Sequence, residues 1–140
     1  MDALRAAALV AALILSLALG GCGQSSSEKR DLATARAVVE RFSQASDATA
    51  CGLLTNKNVR ALYGKFKASA ARSRANCKRR SRLFRGEAVK ITRSELLDPR
   101  TIKINAVDQD GKFSYQVNLR KGSGGNWRID LVSQAKVTPF

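Results

Sequence analysis

Residues 113–131 read Phe113-Ser114-Tyr115-Gln116-Val117-Asn118-Leu119-Arg120-Lys121-Gly122-Ser123-Gly124-Gly125-Asn126-Trp127-Arg128-Ile129-Asp130-Leu131. Phe113, Tyr115, Val117 and Leu119 alternate with polar residues, and Trp127, Ile129 and Leu131 do the same beyond a Gly/Ser-rich connection. A period of two on both sides of such a turn predicts a β-hairpin with one apolar face. The same period extends upstream. Ile102 and Ile104 alternate with Lys103 and Asn105, and Val89 and Ile91 with Lys90 and Thr92. Asp98-Pro99 and Asp108-Gln109-Asp110-Gly111 supply turn chemistry between these runs. Four strands on short connections make an antiparallel meander, whose apolar face has to be covered by something else.

The cover lies before Gly86, where the period becomes 3.6. In residues 31–46, Leu32, Ala35, Val38, Val39 and Phe42 recur at three- and four-residue steps, which predicts a helix with one buried face. Asp47 is placed to cap a short helical turn carrying Cys51, Leu53 and Leu54, and Asn56 to cap a helix with Val59, Leu62, Tyr63 and Phe66 on one side. Beyond Ala71 the pattern weakens, and residues 72–85 fit helix or coil. The predicted fold class is α+β: N-terminal helices packed on one face of a curved four-stranded antiparallel meander sheet.

The chain opens differently. Arg5 precedes an apolar run over residues 6–19, about the length of a signal-peptide core and short for a membrane span. Leu19-Gly20-Gly21-Cys22 then resembles the lipobox of bacterial lipoproteins, in which cleavage falls just before a cysteine that receives lipid. That resemblance implies a signal peptide over residues 1–21, lipidation of Cys22, a flexible linker through residue 30 and a folded domain over residues 31–137. It also places the protein on the extracytoplasmic face of the cell membrane. An ordinary secretory signal cut near Gly20 or Gly21 is the alternative, with Cys22 free or disulfide-bonded. Once Cys22 is assigned to the anchor, Cys51 and Cys77 remain as an even pair in an oxidising compartment, which predicts one disulfide. Two reduced, buried thiols are the other reading of that pair.

Helices, then a meander closing on Gly125-Asn126-Trp127-Arg128-Ile129, resemble the nuclear transport factor 2-like superfamily, in particular its small secreted and lipid-anchored members from high-GC Gram-positive bacteria. The residues that carry the likeness are the opening helix Ala33 to Phe42, Ala50-Cys51-Gly52-Leu53-Leu54, the second cysteine Cys77 and the closing strand. The resemblance implies a cone with a pocket between the first helix and the concave sheet, used by enzymes and by non-enzymatic binding modules alike.

Enzymes on that cone generally use a histidine/aspartate or aspartate/arginine set, and this chain has no histidine. Acid–base work would fall to a shifted carboxylate or lysine. Asp47, Asp98, Asp108 and Asp110 each have a capping or turn role that accounts for them. Asp108-Gln109-Asp110-Gly111 resembles the start of a calcium loop but lacks the glutamate such a loop requires, so neither a metal nor a cofactor is expected. Tyr115 and Trp127 are either pocket residues or core, and their inward alternation favours core.

Charge is the remaining signal. Of a net +14, most arises in residues 57–85, where eleven Lys and Arg stand among no acidic residue. Lys78, Arg79, Arg80, Arg82 and Arg85 are its densest part and are the candidate anion-binding residues. An uncompensated run repels itself unless an anion is near. For an exported protein, anionic lipids or phosphate-rich wall polymers are the available partners. No nucleic acid is expected, because the export signal and the lack of aromatics interleaved with the arginines both argue against it. The sequence thus predicts a non-catalytic, membrane-anchored binding or interaction module, with a polyanion- or membrane-binding protein acting through residues 57–85 as the alternative, and a pocket enzyme as a further one.

Overall fold

The computed structural model describes residues 23–65 and 67–137. The lipobox-like segment with Cys22, and Phe66, lie outside the described residues. Among those described, no helix is long and apolar enough to cross a membrane.

The architecture is α+β as expected, with helices first and a four-stranded antiparallel sheet in the order β1-β2-β3-β4 after them. Helix α1, Ser26–Gln44, starts earlier than periodicity indicated. Ser25 Oγ accepts from the Glu28 N–H and Glu28 Oε2 accepts from the Ser25 N–H at 2.9 Å, a reciprocal capping box. Residues 26–30, read from composition as part of a linker, are the first turns of this helix. The buried face is the one read from the spacing, with Ala35 and Val39 in the core and Leu32, Val38 and Phe42 packed around them.

Helix α2, Thr49–Gly52, is preceded by Asp47, whose Oδ1 accepts from the Thr49 N–H at 2.8 Å. Its N-cap is Ala48, one residue after the predicted Asp47. Helix α3, Asn56–Tyr63, is capped by Thr55 rather than Asn56, because the Thr55 hydroxyl accepts from the Asn58 N–H at 3.1 Å. Val59 is buried beneath it, but Leu62, predicted to share that face, is half-exposed. Helix α4, Ala70–Arg80, resolves the ambiguous basic stretch as helix capped by Ser69 and continued by a 3-10 turn, Ser81–Leu83. Cys51 of α2 and Cys77 of α4 are fully buried with their sulfurs at bonding distance, 1.96 Å.

The strands are β1 Lys90–Asp98, β2 Thr101–Val107, β3 Phe113–Lys121 and β4 Trp127–Lys136. Ile102, Ile104 and Ala106 of β2, Val117 and Leu119 of β3, and Trp127 and Ile129 of β4 turn their side chains to the helices. One expected inward residue does not. Leu119 pairs with Ile129 but Asn118 pairs with Leu131, so Asp130 is an extra residue in β4. Such a bulge reverses the alternation beyond it. Leu131 therefore faces out, and Val132 takes the inward place, packed against the core.

The helical half is tied to β4 by backbone bonds. Thr55 N–H donates to the Ile129 carbonyl and Ile129 N–H to the Leu53 carbonyl, both at 2.8 Å, which makes a short parallel bridge on what would be an open sheet edge. The bulged Asp130 then accepts from Thr55 Oγ1 at 2.9 Å.

At the end of the sheet where β3 passes to β4, Asp31 closes the fold. Its carboxylate accepts from Lys121 Nζ at 2.8 and 2.9 Å and from Trp127 Nε1 at 3.1 Å, and Lys121 also stands over the indole, 5.5 Å from its centroid. The hydrogen bonds from Lys121 and then Trp127 hold the Asp31 carboxyl below the usual carboxylate range. A carboxylate lowered in the folded state contributes stability that is present above its unfolded pKa and is lost as pH falls through the folded value. Asp31→Ala also leaves the buried Trp127 N–H without its acceptor, at a cost of about 1–3 kcal/mol. Urea unfolding should therefore show that loss at neutral pH and a narrowing gap between variant and parent in acid; an equal gap at both pH values would assign the effect to packing alone.

Candidate functional site

The meander curls away from α1 at the end opposite Asp31 and leaves a cavity of about 330 Å³. Its walls follow from the elements above. The last turns of α1 contribute Val39 and Phe42, the sheet contributes Ala106, Tyr115, Val117 and Val132, and Tyr63 and Phe84 form the side. Small Ala50 and Ala106 leave the space that larger residues would fill. The bulge at Asp130 matters here too, since it is what turns Val132 into the cavity. Gly86 allows the chain to pass hard against the end of α1: an added Cβ would collide with the Gln44 backbone. A bond from the Glu87 N–H to the Ser43 carbonyl at 2.9 Å fixes that passage.

The polar groups gather at the rim. Ser43, Arg85, Glu87, Asp108 and Tyr115 line the cavity together with its apolar walls, and Arg85 and Glu87 are exposed. Tyr115 is raised above an ordinary phenol by burial and then by the charges of Asp108 and Glu87, so at neutral pH it is a hydroxyl able to donate. Tyr63, inside the wall, is likewise raised by burial, and its ring packs on Phe84 with centroids 6.4 Å apart.

The predicted pocket aromatics separate. Tyr115 lines the cavity; Trp127 is core, bonded to Asp31 at the other end. The turn carboxylates are where local chemistry placed them. Asp108 Oδ1 accepts from the Phe113 N–H at 3.1 Å, and Asp110 pairs with Lys112 at 3.2 Å. The Arg100 N–H, 2.7 Å from Asp98 Oδ1, holds that carboxyl below the usual range. Asp108 alone of the four reaches the cavity. Among the described residues, no three His, Cys, Asp or Glu side chains converge as a metal-ligand set.

The basic candidates also divide. Arg85 belongs to the cavity rim. Arg79, Arg80 and Arg82 line a separate groove of about 380 Å³ with Lys65, Leu62 and Leu83, while Lys78 lies outside it. Arg74, counted in the same charge run, has a structural role, donating to the carbonyls of Cys51 at 2.6 Å and Leu54 at 3.1 Å and to Asn56 Oδ1 at 2.8 Å. It satisfies carbonyls that the short α2 leaves open.

Several residues that shape these sites carried little sequence signal. Asp31 reads only as the start of a helix, and neither the alternation nor the charge pattern singles out Ala106 or Leu83. Comparisons of the chain with family models, with curated proteins and with solved structures find no match.

Proposed function

We propose that this protein is a non-catalytic binding module of the cell envelope, anchored by lipid on Cys22, whose nuclear transport factor 2-like cone takes a small ligand with an apolar body and a polar head. The observation that carries the reading is the cavity itself. Its volume of about 330 Å³ falls within the usual range for ligand sites, and apolar walls with a few convergent polar groups are how such sites combine affinity with orientation. Arg85, Glu87, Asp108 and the Tyr115 hydroxyl are the groups that would meet the head.

Ala106 offers the test, because it lies on the sheet floor of the cavity with a small side chain. In Ala106→Phe the ring should occupy the space. Binding of an apolar fluorescent probe, 1-anilinonaphthalene-8-sulfonate, should fall at least about tenfold, the equivalent of about 1.4 kcal/mol, while the thermal midpoint stays close to the parent's. Unchanged probe binding in a folded Ala106→Phe protein would overturn the cavity reading.

A second reading is favoured by a different observation, the grouping of Arg79, Arg80, Arg82 and Lys65 around one groove. We propose that this surface contacts an anionic component of the envelope, either lipid head groups or phosphate-rich wall polymer.

A further inference from the structure

We infer that the groove between α3 and the 3-10 turn is a membrane-docking edge that lays the domain on an anionic lipid surface. The inference deepens the second reading above by choosing its partner. Charge alone would suit any polyanion, but this groove is not only charged. Leu83 is 76% exposed and Leu62 51%, and they lie among Arg79, Arg80, Arg82 and Lys65. Apolar side chains presented among cations match a bilayer interface, where leucines enter the acyl boundary and cations meet the head groups. A soluble phosphate polymer offers nothing for the leucines. No acidic residue opposes the contact anywhere in residues 48–86.

The proposed anchor makes the same surface available. Three residues separate Cys22 from α1, a reach of about 10 Å, and α1 with its 19 residues is about 28 Å long. Helix α1 meets Trp127 at Asp31, in its second turn, and ends at the cavity, and Tyr63 lines both cavity and groove. A lipid at one end and the groove at the other would hold α1 along the bilayer. The cavity would then open beside the lipid surface rather than far from it.

The test uses the full, lipidated chain in vesicles whose acyl chains carry bromine, a short-range quencher of tryptophan. Leu83→Trp places a reporter in the groove. Leu97→Trp, exposed on the face of β1 opposite to the one through which Leu96 packs on the core, is the reference, and buried Trp127 is a common background. In vesicles containing phosphatidylglycerol at low salt, the reporter at 83 should be quenched about twofold more than that at 97. The excess should vanish in pure phosphatidylcholine and when Arg79, Arg80 and Arg82 are all replaced by Gln in the Leu83→Trp chain. Equal quenching at 83 and 97 in anionic vesicles would overturn the docking edge. Titration of the same chains with soluble poly(glycerol phosphate) keeps the two ideas apart: if the arginine substitutions weaken that binding while position 83 is not quenched, the anion-binding surface stands and the membrane edge falls.

Discussion

Replacing Cys51 and Cys77 together by Ala is expected to lower the unfolding free energy by about 3.5 kcal/mol, because a disulfide between them would close a loop in the unfolded chain whose entropy is otherwise regained. The separation of 26 residues sets that figure. A domain of this size has a total stability of about 5–15 kcal/mol, so the loss is a large share of it. In thermal unfolding it corresponds to a drop of roughly 15 °C. The location adds to the effect. Both cysteines are fully buried, and the bond would join α2 to α4 where Arg74 already holds the carbonyls of Cys51 and Leu54. Reduction of the parent protein should therefore be slow in native buffer and fast once it is unfolded, since a reductant reaches the sulfurs only through opening. Intact mass before and after reduction under denaturing conditions should differ by two hydrogens for this bond. No difference, with a double variant as stable as the parent, would leave two thiols that merely pack together.

The strands were legible in the order of their side chains, and so was the covering role of the helices. Alternation with period two is a direct consequence of the pleat, and Ile102, Ile104, Val117, Leu119, Trp127 and Ile129 all lie where it puts them. What alternation cannot register is an inserted residue. Asp130 looks like one more polar outward position, yet the register with β3 makes it a bulge and exchanges Leu131 for Val132. The start of α1 was hidden by composition: Gly, Ser and Gln after Cys22 read as a tether, while the Ser25–Glu28 capping box is a pairwise signal within it. Leu62 fitted a helical face by spacing alone, but α3 is only 8 residues long and its buried side is narrow, centred on Asn58 and Val59. The cavity was not legible at all. It depends on Ala50 and Ala106 lining the same space and on Gly86 passing the end of α1, a placement of residues far apart in the chain. The charge run was visible as a quantity, whereas its division into a structural Arg74, a rim Arg85 and a groove of Arg79, Arg80 and Arg82 is a property of α4 and the turn after it.

Cys22→Ser is expected to abolish lipid modification and, with it, stable membrane anchoring, the largest effect of any single substitution proposed for this chain. Each buried methylene of an acyl chain is worth about 0.8 kcal/mol, and two chains hold a protein where one gives only reversible binding. Because the lipobox reading requires the cysteine for cleavage, the variant should also accumulate with residues 1–21 attached, which intact mass detects directly. Fractionation has to be done in two washes. In low salt, the groove of Arg79, Arg80 and Arg82 should keep part of any processed, unlipidated protein on anionic membranes. At about 1 M salt the Debye length shrinks to about 3 Å and that attraction is screened. A lipid anchor is indifferent to salt, so the parent should stay in the membrane fraction through both washes. Processed Cys22→Ser protein that survives the high-salt wash as the parent does would refute lipidation at Cys22. Release only at high salt would instead separate the two attachments, with the covalent lipid holding the chain at the bilayer and the basic groove setting how it lies there.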